Sequence, residues 1–231
     1  MNRKIQTYLI CAASLLLLFV LFTILVACCD VRPIGVEDGG VGLAGINRFV
    51  FEAVGVHPVW YGVTEWLGVG AILVACVFGA EGLYQLLRRR QICRVDRRLW
   101  VLAGLYILVA ASYLLFEKMA IHCRPILLGA GPEPSYPSSH VLLVVCVMGS
   151  AAMQLRAKLP ARRKLCVWAD TSAVVVSATT VIGRLLSGVH WFADVVGSLL
   201  LSAALLTMHR AALEMVLPFS VISYTASNRY S

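Results

Sequence analysis

The chain has 231 residues, of which 60% are hydrophobic and 14% charged, with a mean hydropathy of +0.83. A water-soluble domain cannot bury that much apolar surface, whereas a bilayer solvates it. The formal net charge of +8 does not point to nucleic acid, because the positive residues sit in short clusters between apolar runs. Basic–aromatic interleaving, zinc-finger spacing and a P-loop are all missing from the sequence.

About 20 apolar residues cross a hydrocarbon core as a helix, and six stretches qualify. The first, about 5–27, follows Arg3 and Lys4. Its end, Leu25-Val26-Ala27-Cys28, has the form of a lipoprotein cleavage signal, but the run is longer than a signal h-region and is expected to stay as an anchor. The connection Asp30–Val59 carries Glu37, Asp38 and Gly39-Gly40-Val41-Gly42. It reads as a flexible connector, with a short interfacial helix over Phe49–Val56. The second stretch, about 60–87, opens with Trp60, Tyr61 and Trp66 as an aromatic belt. The third spans about 99–116, the fourth about 138–155, the fifth about 165–185 and the sixth about 190–208, with residues 209–231 as a tail. The expected fold is all-α: a single membrane domain, 1–231, built as a six-helix transmembrane bundle without internal repeats.

Fifteen of the twenty Lys and Arg fall on the side of the N-terminus: Arg3, Lys4, Arg88, Arg89, Arg90, Arg94, Arg97, Arg98, Arg156, Lys158, Arg162, Arg163, Lys164, Arg210 and Arg229. The positive-inside rule makes that side cytoplasmic, with both termini inside, as in a multi-pass protein of a bacterial plasma membrane. Asp170 reads as a helix-end charge on that side. The eight cysteines include no CxxC pair, so neither a metal site nor a disulfide framework is expected. One bridge, from Cys28 or Cys29 to Cys123, is compatible with the topology.

Polar residues at the outer segment ends are concentrated, and such residues are costly unless paired or functional. Lys118 and Arg124-Pro125 follow the third stretch, Pro137-Ser138-Ser139-His140 opens the fourth, Gly183-Arg184 closes the fifth, and His190-x-x-x-Asp194 opens the sixth. Arg124 and Arg184 offer planar forks of donors to phosphoryl oxygens. Ser138 and Ser139 stand at a helix start, where open amides and the positive dipole end favour an anion. Asp194, four residues after His190, shares its helix face, so the carboxylate orients one ring nitrogen and frees the other as a nucleophile. His140 supplies a second imidazole for a leaving oxygen. His57, His122 and His209 read as packing or interfacial residues.

These residues resemble the three signature motifs of the type-2 phosphatidic-acid phosphatase and vanadium-haloperoxidase superfamily, K-x6-R-P, P-S-G-H and S-R-x5-H-x3-D. The six-segment plan and outward site look like its membrane lipid-phosphatase branch. The resemblance implies that His190 attacks phosphorus to form a phosphohistidine, that Asp194 orients it and that His140 protonates the departing group. It further implies phosphate binding by Arg124, Arg184, Lys118 and the Ser138–Ser139 backbone, on a lipid-phosphate substrate, with no cofactor or metal. Three positions depart from the pattern. Lys118 lies one residue out of register, with Glu117 in its place; one residue is about 100° of helix rotation. Ser139 replaces a glycine, and Gly183 replaces a serine. A lipid-linked phosphotransferase and a non-catalytic anion-binding membrane protein use the same cluster and are the alternatives. Oligomeric state is open.

Overall fold

The computed structural model describes residues 3–35, 39–129 and 131–216. Glu37, Asp38, Arg229 and the tail beyond Val216 lie outside the described residues. The elements are α1 (Arg3–Cys28), a two-residue antiparallel pair β1 (Arg32–Pro33) and β2 (Gly40–Val41), α2 (Ala44–Val54), α3 (Val59–Arg89), α4 (Arg97–Met119), α5 (Ser139–Lys158), α6 (Arg163–Leu186) and α7 (Phe192–Val216). All but α2 among these helices are long and apolar enough to cross a membrane. Their apolar outer faces, including Leu17, Val77, Trp168 and Val174, are exposed, which suits lipid tails rather than water. The fold is therefore the expected six-span helical bundle.

Segment ends follow local chemistry. Asp96 caps α4 by accepting the Arg98 N–H, satisfying one of the orphan amides of a helix start. Ala120 stops the same helix in a left-handed conformation at φ 43°. α6 ends before Gly188, at φ 72°, where a Cβ would lie 2.8 Å from Val56 Cγ2. α7 continues past the hydropathy limit, so residues 209–216, expected in the tail, are its last turns, with His209 buried.

α7 is the central helix and packs between α1, α4 and α5. Its Ala193, Leu201 and Leu205 join Phe19 and Val26 of α1, Leu102, Leu105 and Val109 of α4 and Leu142 and Cys146 of α5 in one apolar cluster. Small residues let these helices approach, as is usual where lipid gives no hydrophobic drive for helix association. A Cβ at Gly197 would lie 2.7 Å from the Tyr136 ring, and one at Gly149 would lie 2.8 Å from Leu206. α1 is built into this core: Val26 is fully buried, and Thr23 Oγ1 is 2.8 Å from the Tyr136 hydroxyl. The eight cysteines are all free, so the Cys28–Cys29 to Cys123 pairing is not formed.

The described residues of the expected flexible connector are instead folded. Leu43 N–H bonds Cys29 O and Ala44 N–H bonds Asp30 O. The helix in this loop starts earlier than expected, at Ala44, where Gly45 N–H donates to Asp30 Oδ2 at 2.7 Å. At the opposite end of the bundle the basic clusters find local acids: Lys158 pairs with Glu81 at 2.5 Å, Arg156 with Asp170, and Arg98 with Asp96.

Candidate active site

The three motif segments converge where α4 ends, α5 begins, α6 ends and α7 begins. That end of the bundle is opposite the arginine clusters. His190 lies in the connection before α7 and is 3% exposed. Its Nδ1 faces Asp194 Oδ2 at 3.5 Å, a contact longer than a formed hydrogen bond. Neither ring nitrogen has a hydrogen-bond partner among the described residues. Burial pushes the imidazole below its ordinary value; Asp194 opposes this, and the charges of Arg124 and Arg184 reinforce it. Asp194 is anchored by two other donors. Trp191 N–H bonds Oδ2 at 3.0 Å, and His122 Nδ1 lies 3.1 Å from Oδ1. Gly42 N–H donates to His122 Nε2 at 3.0 Å, so Nε2 is an acceptor and the ring proton is on Nδ1, aimed at the carboxylate.

The first loop closes over this arrangement. Asn47 Oδ1 accepts the Ala193 N–H at 2.9 Å and its Nδ2 donates to Gly42 O at 2.8 Å. Phe51 packs on Trp191 with ring centroids 5.5 Å apart, and the Trp191 indole N–H donates to Cys123 O.

The arginines approach from two sides. Arg184, near the end of α6, is fully buried, with its carbon fork over the Tyr61 ring at 5.4 Å. Its Nη2 donates to Glu65 Oε1 of α3 at 2.7 Å, while Nε and Nη1 are unpartnered among the described residues. The same Glu65 oxygen lies 3.1 Å from His140 Nε2. Arg124 Nε is 3.0 Å from Glu133 Oε2, without hydrogen-bond alignment. Its segment is folded back by Arg124 N–H to Glu133 O and Ser135 N–H to His122 O. A cavity of about 240 Å³ opens here, lined by Glu117, Arg124, Glu133, Ser135, Ser139, His140 and His190 among others.

Buried guanidinium, hydroxyl and imidazole groups left without partners are expensive. Those of Arg124, Ser135 and His190 gather around one cavity, an arrangement able to take an anion. A family model, the PAP2 superfamily, matches residues 115–215, which span all three motifs. The stretch that carries the site is thus similar to the PAP2 superfamily. The fold is also similar to the crystal structure of the first transmembrane PAP2 type phosphatidylglycerolphosphate phosphatase from Bacillus subtilis, with a TM-score of 0.63 and 19% identity, covering 90% of this chain and 98% of that one. No curated protein matches the sequence. That similarity supports phosphoric-ester hydrolase chemistry in general.

Against the PAP2 motifs, His140, Ser139, His190 and Arg124 line the cavity, and Arg184 joins them through Glu65. Ser138 contributes differently from expectation. Its N–H is taken by Asp194 O at 3.2 Å, and its buried hydroxyl is unpartnered among the described residues. Leu142 N–H makes the first turn's bond to Ser138 O, so the open amides of a helix start belong to residues 139–141. Lys118 is exposed and does not line the cavity; Glu117 does. Gly183 has a packing reason: a Cβ there would lie 2.6 Å from Thr64 Cγ2 and 3.1 Å from the Trp60 ring. Trp60 and Tyr61 thus pack against the site, while Trp66 alone of that trio is highly exposed, at 76%.

His122, Ser135 and Glu65 were not among the expected site residues. An acid inside an apolar stretch is a signal for Glu65; His122 carries none, since its partner is 72 residues away. If His122 positions Asp194, His122→Ala lowers kcat by about 10-fold to 100-fold, as supporting contacts commonly do. His122→Asn, whose amide can replace the Nδ1–H, retains most of it. A wild-type kcat in His122→Ala, with lowered thermal stability, would show that the contact is only structural.

Proposed function

We propose that this protein hydrolyses a lipid phosphate monoester or an isoprenyl diphosphate at the non-cytoplasmic face, through a phosphohistidine on His190. The observation that carries the reading is the convergence on one cavity of His190, backed by Asp194, with His140 and Arg124, and with the buried Arg184 tied to His140 through Glu65. With Nδ1 facing Asp194, Nε2 of His190 is the nucleophile. It forms a bond to phosphorus as the P–O bond to the leaving group breaks, an ester bond in a monoester and an anhydride bond in a diphosphate, and His140 gives its proton to the departing oxygen. Water then attacks the phosphohistidine, breaking P–N and returning a proton to His140, and inorganic phosphate leaves. Arg124, Arg184 and the amides that open α5 hold the three phosphoryl oxygens, whose charge must be stabilised in the in-line transition state. The lipid tail stays in the bilayer while the headgroup reaches the cavity from the outer ends of the helices. Placement of the basic clusters at the opposite end supports both termini being cytoplasmic.

The test is phosphate release by purified protein from a panel of lipid phosphates, with and without chelator. Activity is expected in both conditions, blocked by vanadate. A loss of all activity on chelation would overturn the metal-independent route. His190 must be neutral to attack, and its protonation lies below the ordinary value of 6.5. The acid limb of kcat/KM, which reports the free enzyme, is therefore expected below 6.5; a pH–rate profile with its acid midpoint above that value would contradict it.

A further inference from the structure

The charges around the cavity constrain what can leave from it. Each guanidinium is already matched by a carboxylate, Arg184 by Glu65 and Arg124 by Glu133. Glu117 places a third carboxylate on the lining, and Lys118, the cation that the family motif would supply, is exposed outside it. Asp194 stands behind His190 with its own donors. Acid therefore exceeds fixed base around this cavity before any substrate arrives.

The backbone explains why Glu65 reaches this point. Gly183 lets α3 come within van der Waals contact of the end of α6, where a side chain would strike Thr64 and Trp60. Gly68, one turn along α3, leaves room for the His140 ring; a Cβ there would lie 3.1 Å from His140 Cδ2. The close crossing delivers one carboxylate oxygen to Arg184 Nη2 and His140 Nε2 together. The unpartnered Arg184 Nε and Nη1 and both nitrogens of His190 show that this carboxylate does not fill the anion site.

We infer that the site is built for a phosphate monoester whose leaving group is an uncharged alcohol, that it discriminates against diphosphates, and that Glu65 is the main discriminating residue. This rests on the phosphatase reading and on His140 facing the leaving oxygen. For a monoester, one phosphoryl group takes both guanidiniums and the α5 amides, and the departing oxygen becomes a neutral hydroxyl on receiving the His140 proton. For a diphosphate, the departing group is itself a phosphate monoester. Its negative charge develops beside His140, against the Glu65 carboxylate and towards Glu117 and Glu133, with no further cation to meet it among the described residues. Like charges at contact distance in a partly desolvated site repel strongly, and such repulsion is an efficient way to reject the wrong ligand. An alcohol bearing further hydroxyl groups finds acceptors in the same carboxylates.

The experiment compares a prenyl monophosphate with the prenyl diphosphate of the same chain length, using the full chain in detergent and reading kcat/KM for each from one preparation. The ratio cancels any inactive fraction. Wild type is expected to favour the monophosphate by about tenfold or more, and Glu65→Gln, which keeps an acceptor for Arg184 but removes the charge, to lower that ratio about tenfold. Glu117→Gln should lower it less. A wild-type preference for the diphosphate, or a ratio unmoved by Glu65→Gln, overturns the inference while leaving the phosphatase reading intact. If Glu65→Gln is inactive on both substrates, an unmoved ratio in Glu117→Gln overturns it instead. Absence of phosphate release from either substrate and from glycerolipid phosphates, in wild type as in His190→Ala, overturns the phosphatase reading itself.

Discussion

Replacing His190 by alanine is expected to abolish phosphate release, by at least about 10⁴-fold in kcat, because the variant loses the bond-forming atom rather than a supporting contact. The fold should survive. His190 makes no formed hydrogen bond among the described residues, so truncation orphans none of its neighbours, and Asp194 keeps the Trp191 amide and His122 as donors. Substrate binding should also persist, since both guanidiniums stay in place. Quenched wild-type reactions should contain acid-labile phosphoprotein that His190→Ala lacks. Asp194→Asn probes a different dependence. It alters the acceptor facing His190 Nδ1 and the partner of His122 at once, so it should cost both activity and thermal stability, whereas His190→Ala costs activity alone. A His190→Ala protein that still turned over, or that bound phosphoryl label as wild type does, would remove the nucleophile from the scheme.

The parts of this site visible in the sequence are those that lie close together along the chain. His190 and Asp194 are separated by one helical turn, and helix geometry alone puts them on one face. The spans were legible because apolar length is a direct physical requirement of the bilayer, although hydropathy stopped short of the last turns of α7. Those turns are polar in part but remain packed, with Leu213 fully buried. Glu65 carries a signal as an acid in an apolar stretch, but its partners were not legible. Its role depends on how near α3 lies to α6, and that distance is set by Gly183 and Gly68 against partners far away in sequence. The folding of the first loop depends on Gly42, where a Cβ would lie 1.6 Å from Val26 O. A glycine-rich connector is easily read as slack when the chain it must pass is unknown. The register of Lys118 and Glu117 was a clear warning, because one residue of rotation on α4 decides which side chain faces the cavity.

Arg184→Ala is expected to produce the second largest loss, on the order of 10² to 10³ in kcat/KM, equivalent to about 3–4 kcal/mol of transition-state stabilisation. The expectation follows from burial. A fully buried guanidinium with two unpartnered donor nitrogens is held in place before substrate arrives. Its hydrogen bonds to phosphoryl oxygens therefore need little reorganisation, in surroundings where charge is poorly screened. Arg124, with 17% of its side chain exposed and an ion pair to the more open Glu133, is more solvated, so Arg124→Ala should cost less. Truncating Arg184 also leaves Glu65 without its stronger partner. Glu65 is 39% exposed, so water takes over part of that role and the stability loss should fall below the 3–5 kcal/mol typical of breaking a fully buried pair. Arg184→Lys separates the two contributions. It restores a charge for Glu65 but not the planar fork, so it should recover thermal stability much more than activity. If lysine restores activity as fully as stability, Arg184 acts as a counter-ion to Glu65, and the phosphoryl clamp must be sought elsewhere in the cavity.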